Sequence, residues 1–113
     1  MSESAPAVGS LTDRVSLQRR ETSGEDEGGH AVLFVPVTAL WARVRALSGR
    51  QVTEADARGV RVSHSVVVRF RSDVKAGDRF GYRGRWLSVV SAADLNGRRA
   101  WLSCACVETG VVG

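Results

Sequence analysis

The chain has 113 residues, a length for one domain with little room for a second, and its 43% hydrophobic content suffices for a core. Fifteen arginines and one lysine against twelve acids give a net charge of +4, and because four of those acids fall within residues 21–27 the remainder carries about +8, a balance that suits phosphate or acidic protein surfaces and says nothing of fold. No stretch approaches the ~18 apolar residues of a bilayer span, and residues 1–10 hold no Lys or Arg and no apolar core, so neither a membrane protein nor a secretory signal is expected.

Residues 1–10 are small and polar, with Pro6 and Gly9, and are expected to form a flexible N-terminal arm. From residue 13 to 20 the chain alternates, with Val15 and Leu17 on one side and Ser16 and Gln18 on the other, the pattern of a half-buried strand. Residues 22–30 combine three glycines with Glu25, Asp26 and Glu27 and end at His30. Nothing there builds a core, so a flexible acidic loop is predicted.

Residues 31–46 are strand-like, and Pro36, lacking a backbone donor, implies an edge position, a bulge or a break. Leu40, Ala42 and Val44 share one face; Trp41, Arg43 and Arg45 share the other. An aromatic beside guanidinium groups is a composition enriched at protein interfaces, although closing the end of a barrel would account for Trp41 equally well. Ser48-Gly49 breaks the strand. Residues 50–58 (RQVTEADAR) lack a period of two, contain helix formers and stop at Gly59, which predicts a short helix or helical loop. So short a helix does not stand alone; it leans on the body or hangs as an excursion.

Residues 60–71 give the clearest strand pattern: Val60, Val62, His64, Val66, Val68 and Phe70 on one face, and Arg61, Ser63, Ser65, Arg69 and Arg71 on the other, with Val67 as an exception. Residues 73–78 read as a turn. A hairpin follows, with strands at 79–82 and 85–91 around Arg83-Gly84. Asn96-Gly97 is the strongest short turn signal, and a last strand spans about 99–108 before a small uncharged tail at 109–113. Trp86 and Trp101 lie amid Leu87, Val89, Val90 and Leu102 and are assigned to the core. The sum is a mainly β chain: short strands at regular spacing with one helical excursion, a small antiparallel β-barrel or sandwich.

Chemistry is thin. Cys104 and Cys106, two apart on one strand face, are poorly placed for a mutual disulfide and too few for a zinc site, so buried free thiols are expected. His64 has no nucleophile partner in sequence and reads as a satisfied core or interface histidine. No phosphate-binding loop, dinucleotide fingerprint, nucleophile elbow or zincin helix occurs. No enzyme activity, cofactor or metal is expected. An OB-like nucleic-acid-binding module is the alternative, on the strength of the basic body and Tyr82, Trp86 and Trp101.

The order of segments is more specific than any one of them. DRVSLQR at residues 13–19, the acidic glycine-rich stretch, LWARVRALSGR at 40–50, the short Glu/Ala helix, VSHSVVVRFR at 62–71 and DRFGYRGRWLSV at 78–89 together resemble the phage head–tail joining family, over roughly residues 11–108. The resemblance implies a head-closure, or stopper, protein of a tailed phage or gene transfer agent: a small β-barrel stacked as a ring between adaptor and portal proteins on one side and tail terminator or tail tube proteins on the other. Such proteins retain packaged double-stranded DNA and receive the tail. Carried over, the channel element falls on residues 46–59, with Arg50, Gln51, Thr53, Glu54, Asp56 and Arg58 as its polar residues. Trp41, Arg43, Arg45, Arg61, Arg69 and Arg71 are then candidates for subunit or partner contacts, and Glu25, Asp26, Glu27 and His30 for a docking loop. A neighbouring connector ring such as a tail terminator is the alternative within the same assembly.

Overall fold

The structure, a computed structural model, describes residues 10–24, 30–49 and 61–112. The alternation at the start of the chain produces β1 (Asp13–Gly24), which pairs antiparallel with β2 (His30–Ala46). After β3 (His64–Arg69) come the short β4 (Arg79–Tyr82), β5 (Arg85–Asp94) and β6 (Trp101–Val111). Every pairing is antiparallel, and the order β1-β2-β3-β6-β5-β4 closes on itself as a barrel. Closure removes the open edges that a six-stranded sheet would otherwise present.

The inward set is the period-2 set. Val15, Leu17, Ala42, Val66, Val68, Phe80, Leu87, Val89, Leu102, Cys104 and Cys106 form one buried cluster, joined by Val74 from the 73–78 turn. Each fully buried Val, Leu or Phe side chain contributes about 1.5–3 kcal/mol of transfer free energy, so this cluster dominates the fold's stability. Both cysteines are free and buried. Burial pushes the Cys104 thiol up to about 12 and the Cys106 thiol well above its ordinary range, which makes them inert apolar filling.

Turn chemistry sets the register. Arg83 and Gly84 take φ of 48° and 78°, the left-handed pair that a two-residue hairpin needs to match strand twist. Asn96 and Gly97 do the same, at 62° and 67°, in the 3₁₀ turn Leu95–Gly97 that links β5 to β6. At Pro36 the expected irregularity is a bulge: Leu17 pairs with Thr38 but Gln18 pairs with Pro36, so Val37 has no opposite residue. Asp78, almost fully buried, accepts from the backbone N–H groups of Arg20 and Lys75 at 3.0 and 2.9 Å and thereby ties β1 to the turn before β4.

Several expectations need correcting. The acidic loop is shorter than 22–30, because β1 runs to Gly24 and β2 starts at His30; the ladder between two extended strands simply continues. The strand expected at 60–71 is paired only from His64 to Arg69. On its second face, where Val67 stands out as the apolar exception, Ser65 and Val67 are both buried, paired with Arg45 and Arg43 of β2 and Ala105 and Ser103 of β6. The last strand continues through Val111, which pairs with Arg85, so the expected tail begins as strand. The channel segment from Arg50 to Gly59 lies outside the described residues, as does the N-terminal arm before Ser10.

Candidate partner-binding surface

Tryptophan is apolar, and three of them in a small barrel invite a core assignment. None of the three is in it. Trp41, Trp86 and Trp101 stand on the outer face, out of phase with the buried Ala42, Leu87 and Leu102, and each carries an arginine guanidinium over its ring. The core assignment of Trp86 and Trp101 therefore fails, because the period-2 phase of β5 and β6 is set by Leu87, Val89, Leu102 and the cysteines.

Arg79 lies between two rings, 3.6 Å from the Trp86 centroid and 3.8 Å from that of Phe34, and its Nε donates to Gln18 Oε1 at 2.9 Å. Trp86 also packs against Gly81, where an added Cβ would stand 3.1 Å from the indole and 2.5 Å from Ser16 Oγ. Burial lowers the Arg79 guanidinium pKa, and the stack fastens the base of the β1–β2 ribbon to β4 and β5. This is a structural use of an aromatic–cation pair.

The other two pairs are arranged differently. Arg14 and Trp41 are cross-strand partners on β1 and β2, with the guanidinium 4.7 Å from the ring centroid. Arg69 and Trp101 are partners on β3 and β6, at 5.3 Å. Beyond Ala42 and Val68, β2 and β3 no longer pair, and between them lies a cleft of about 470 Å³ lined by Leu11, Arg14, Leu40, Trp41, Arg69, Phe70, Arg71 and Trp101, among others. Trp41 is 56% exposed, an unusual cost for so large an apolar side chain unless something covers it. Arg71 is held aside by a bidentate pair with Asp73, both contacts 2.9 Å. That hydrogen bonding holds the Asp73 carboxyl below its usual range and raises the Arg71 guanidinium.

Of the six residues expected at a partner interface, the cleft brings together Trp41, Arg69 and Arg71. Arg43 and Arg45 continue along the same face of β2, each already engaged in an interaction within the chain, and Arg61 is exposed before the start of β3. Arg14, Leu11 and Trp101 were not among those expected. Arg14 could have been found, since pairing the first strand with the second in the register Asp13↔Ala42 puts it opposite Trp41. Of the docking-loop residues, His30 begins β2, whereas Glu25, Asp26 and Glu27 are outside the described residues, as are Arg50, Gln51, Thr53, Glu54, Asp56 and Arg58.

At the opposite end of β3, His64, Tyr82, Arg83, Arg85, Leu87 and Glu108 surround a second hollow. Ser63 Oγ accepts from the Glu108 N–H at 2.8 Å and lies 2.8 Å from His64 Nδ1. The hydroxyl thus links the β6 backbone to the His64 ring, which has a hydrogen-bond partner at Nδ1. Arg85 pairs with Glu108 at 3.1 Å across the rim.

The comparisons agree with this architecture. The solution structure of protein SF1141 from Shigella flexneri 2a superposes with a TM-score of 0.71 at 23% identity, over 89% of this chain and 95% of that one. A chain from the virion of a native gene transfer agent particle superposes with a TM-score of 0.61 at 20% identity, over 87% and 94%. At such identities the likeness is one of fold. No curated protein matches the chain. The family model described as phage head completion protein matches residues 6–109; the chain belongs to that family.

Proposed function

We propose that this protein is a non-enzymatic head-closure component of a phage or gene-transfer-agent particle. It assembles with further copies of itself as a ring at the head–tail junction, between adaptor or portal proteins and the tail terminator or tail tube. There it retains packaged double-stranded DNA and offers the tail its docking surface. The single observation that carries the reading is the family match over residues 6–109, nearly the whole of the closed barrel. The physics of the chain suits the role: the barrel is closed around one apolar cluster, and its three tryptophans are displayed outward beside arginines.

Residues 46–59 are the channel element of this proposal. Where the described residues flank it, the backbone N–H of Leu47 donates to the carbonyl of Ser63 at 2.8 Å. The chain thus leaves and rejoins the barrel at one point, and every strand pairing that closes the barrel is made by residues outside 50–60. Deleting residues 51–57 is expected to leave the barrel folded by circular dichroism while filled heads lose their DNA; loss of folding would remove the segment from this role.

The nucleic-acid-binding alternative draws on the outward tryptophans. Each ring, however, already has a guanidinium over it at 3.6–5.3 Å, on a face that a base would use for stacking. The decisive experiment is genetic. Particle producers lacking this chain should accumulate heads that neither hold DNA nor carry tails in electron micrographs. Tailed, DNA-filled particles in its absence would refute the proposal.

A further inference from the structure

The outer face carries a pattern that no single strand shows. Arg14 and Trp41 are cross-strand partners on β1 and β2, and Arg69 and Trp101 are partners on β3 and β6. The last pair of β2 and β3 on this side is Ala42↔Val68, so one rung further along come Trp41 and Arg69. Directly opposed residues share a face of the sheet. Trp101, Arg69, Trp41 and Arg14 therefore stand in one outward row across β6, β3, β2 and β1, at least about 14 Å long at ordinary strand spacing.

Each cation of the row is backed by a ring, at 4.7 Å for Arg14 and 5.3 Å for Arg69, and both arginines are exposed. A guanidinium held against an indole keeps its charge and its planar fork of N–H donors. It also gives up less side-chain freedom when it meets an oxyanion. Arg98 and Arg99, both exposed, extend the charge within three residues of Trp101. The acids beside the row are bound to other groups: Asp13 accepts from the Val44 N–H and the Tyr82 hydroxyl, and Asp94 accepts from the Arg99 N–H. Outside residues 21–27 the chain carries about +8.

Two kinds of oxyanion could meet such a row, the carboxylates of a protein or the phosphates of a nucleic acid. A carboxylate partner has to match the positions of the cations one by one. Duplex DNA carries a charge every ~1.7 Å of its axis, so it meets a row of this length in any register. The head-closure reading already brings a duplex to this protein.

Resting on that reading, we propose that the Trp101–Arg69–Trp41–Arg14 row, continued by Arg98 and Arg99, is a phosphate-binding track for the packaged duplex, separate from the channel element. The tryptophans seat the guanidiniums, and the guanidiniums bind backbone phosphates without reading sequence.

Fluorescence anisotropy of the full-length chain with a labelled duplex of about 20 base pairs, from 50 to 200 mM NaCl, tests the track. Each phosphate contact adds about 0.9 to the slope of log K against log salt. Arg14→Ala with Arg69→Ala should lower that slope by about 1.8 and weaken binding at least tenfold in 50 mM NaCl, with circular dichroism unchanged. A double variant that binds with the wild-type slope would overturn the track and leave the head-closure reading standing. So would a wild type that binds no duplex even in 50 mM NaCl. The same variant, supplied to particle producers that lack the chain, separates the two oxyanions. Heads that lose their DNA are expected, whereas DNA-filled heads without tails would overturn the track in favour of a carboxylate-bearing protein partner.

Discussion

Inside and outside this barrel, the same side-chain chemistry is put to opposite uses. Inward, Val, Leu, Phe and Cys pack against one another and every large group is covered. Outward, three tryptophans meet arginines, and one of them, Trp41, remains more than half exposed. A rigid interior tolerates little change, whereas an outer face of this composition tolerates much without unfolding. The difference separates stability from the function we propose: the first lives on the inward phase of each strand, and the proposal puts the second on the outward phase of β1, β2, β3 and β6.

The comparison breaks first at Phe80, which is fully buried. Phe80→Ala should cost about 3–5 kcal/mol, most or all of the stability of a domain this size, and denaturant titration should show a chain largely unfolded in buffer. Next is Asp78. Asn in its place keeps the shape but can serve only one of the two N–H groups at Arg20 and Lys75, and an orphaned buried donor costs about 1–3 kcal/mol. A drop in the urea midpoint with an unchanged m-value would be the signature.

The buried thiols give a pH test of the interior. An unfolded chain ionises its cysteines near pH ~8.5, while burial holds Cys104 protonated to about 12. Their contribution is complete below the unfolded value and is lost as pH rises toward the folded one, because the unfolded state sheds its protons first. Stability should fall by about 1.4 kcal/mol per pH unit per thiol above pH ~9. Cys104→Ala should flatten that slope, and a thiol reagent at pH ~8 should label the native chain only as fast as it unfolds.

Much of this division was legible in the sequence. The barrel class, the two tight turns, the free thiols and the faces of residues 40–45 follow from alternation and turn residues, which are local. The placement of Trp86 and Trp101 did not follow. Their hydrophobicity argued for the core, but the phase of a strand is fixed by its whole inward set, and the bulge in β5 between Val89 and Ser91 shifts that phase within the strand. The cleft was half legible: Trp41 with its arginines stood out as a group, yet Leu11, Arg14 and Trp101 join it only through pairings between strands distant in the chain.

The smallest effect on stability should accompany the largest on assembly. Replacing Arg14 and Trp41 together by Ala removes one exposed cation–π pair, an expected change of about 0.5–1 kcal/mol. The most direct measurement is therefore complementation: this double variant, supplied to particle producers that lack the chain, with tailed and DNA-filled particles counted by electron microscopy. A folded variant whose heads remain tailless and empty is the predicted result. Full recovery of tailed, filled particles would contradict the claim that the outward face of this barrel is where its function resides.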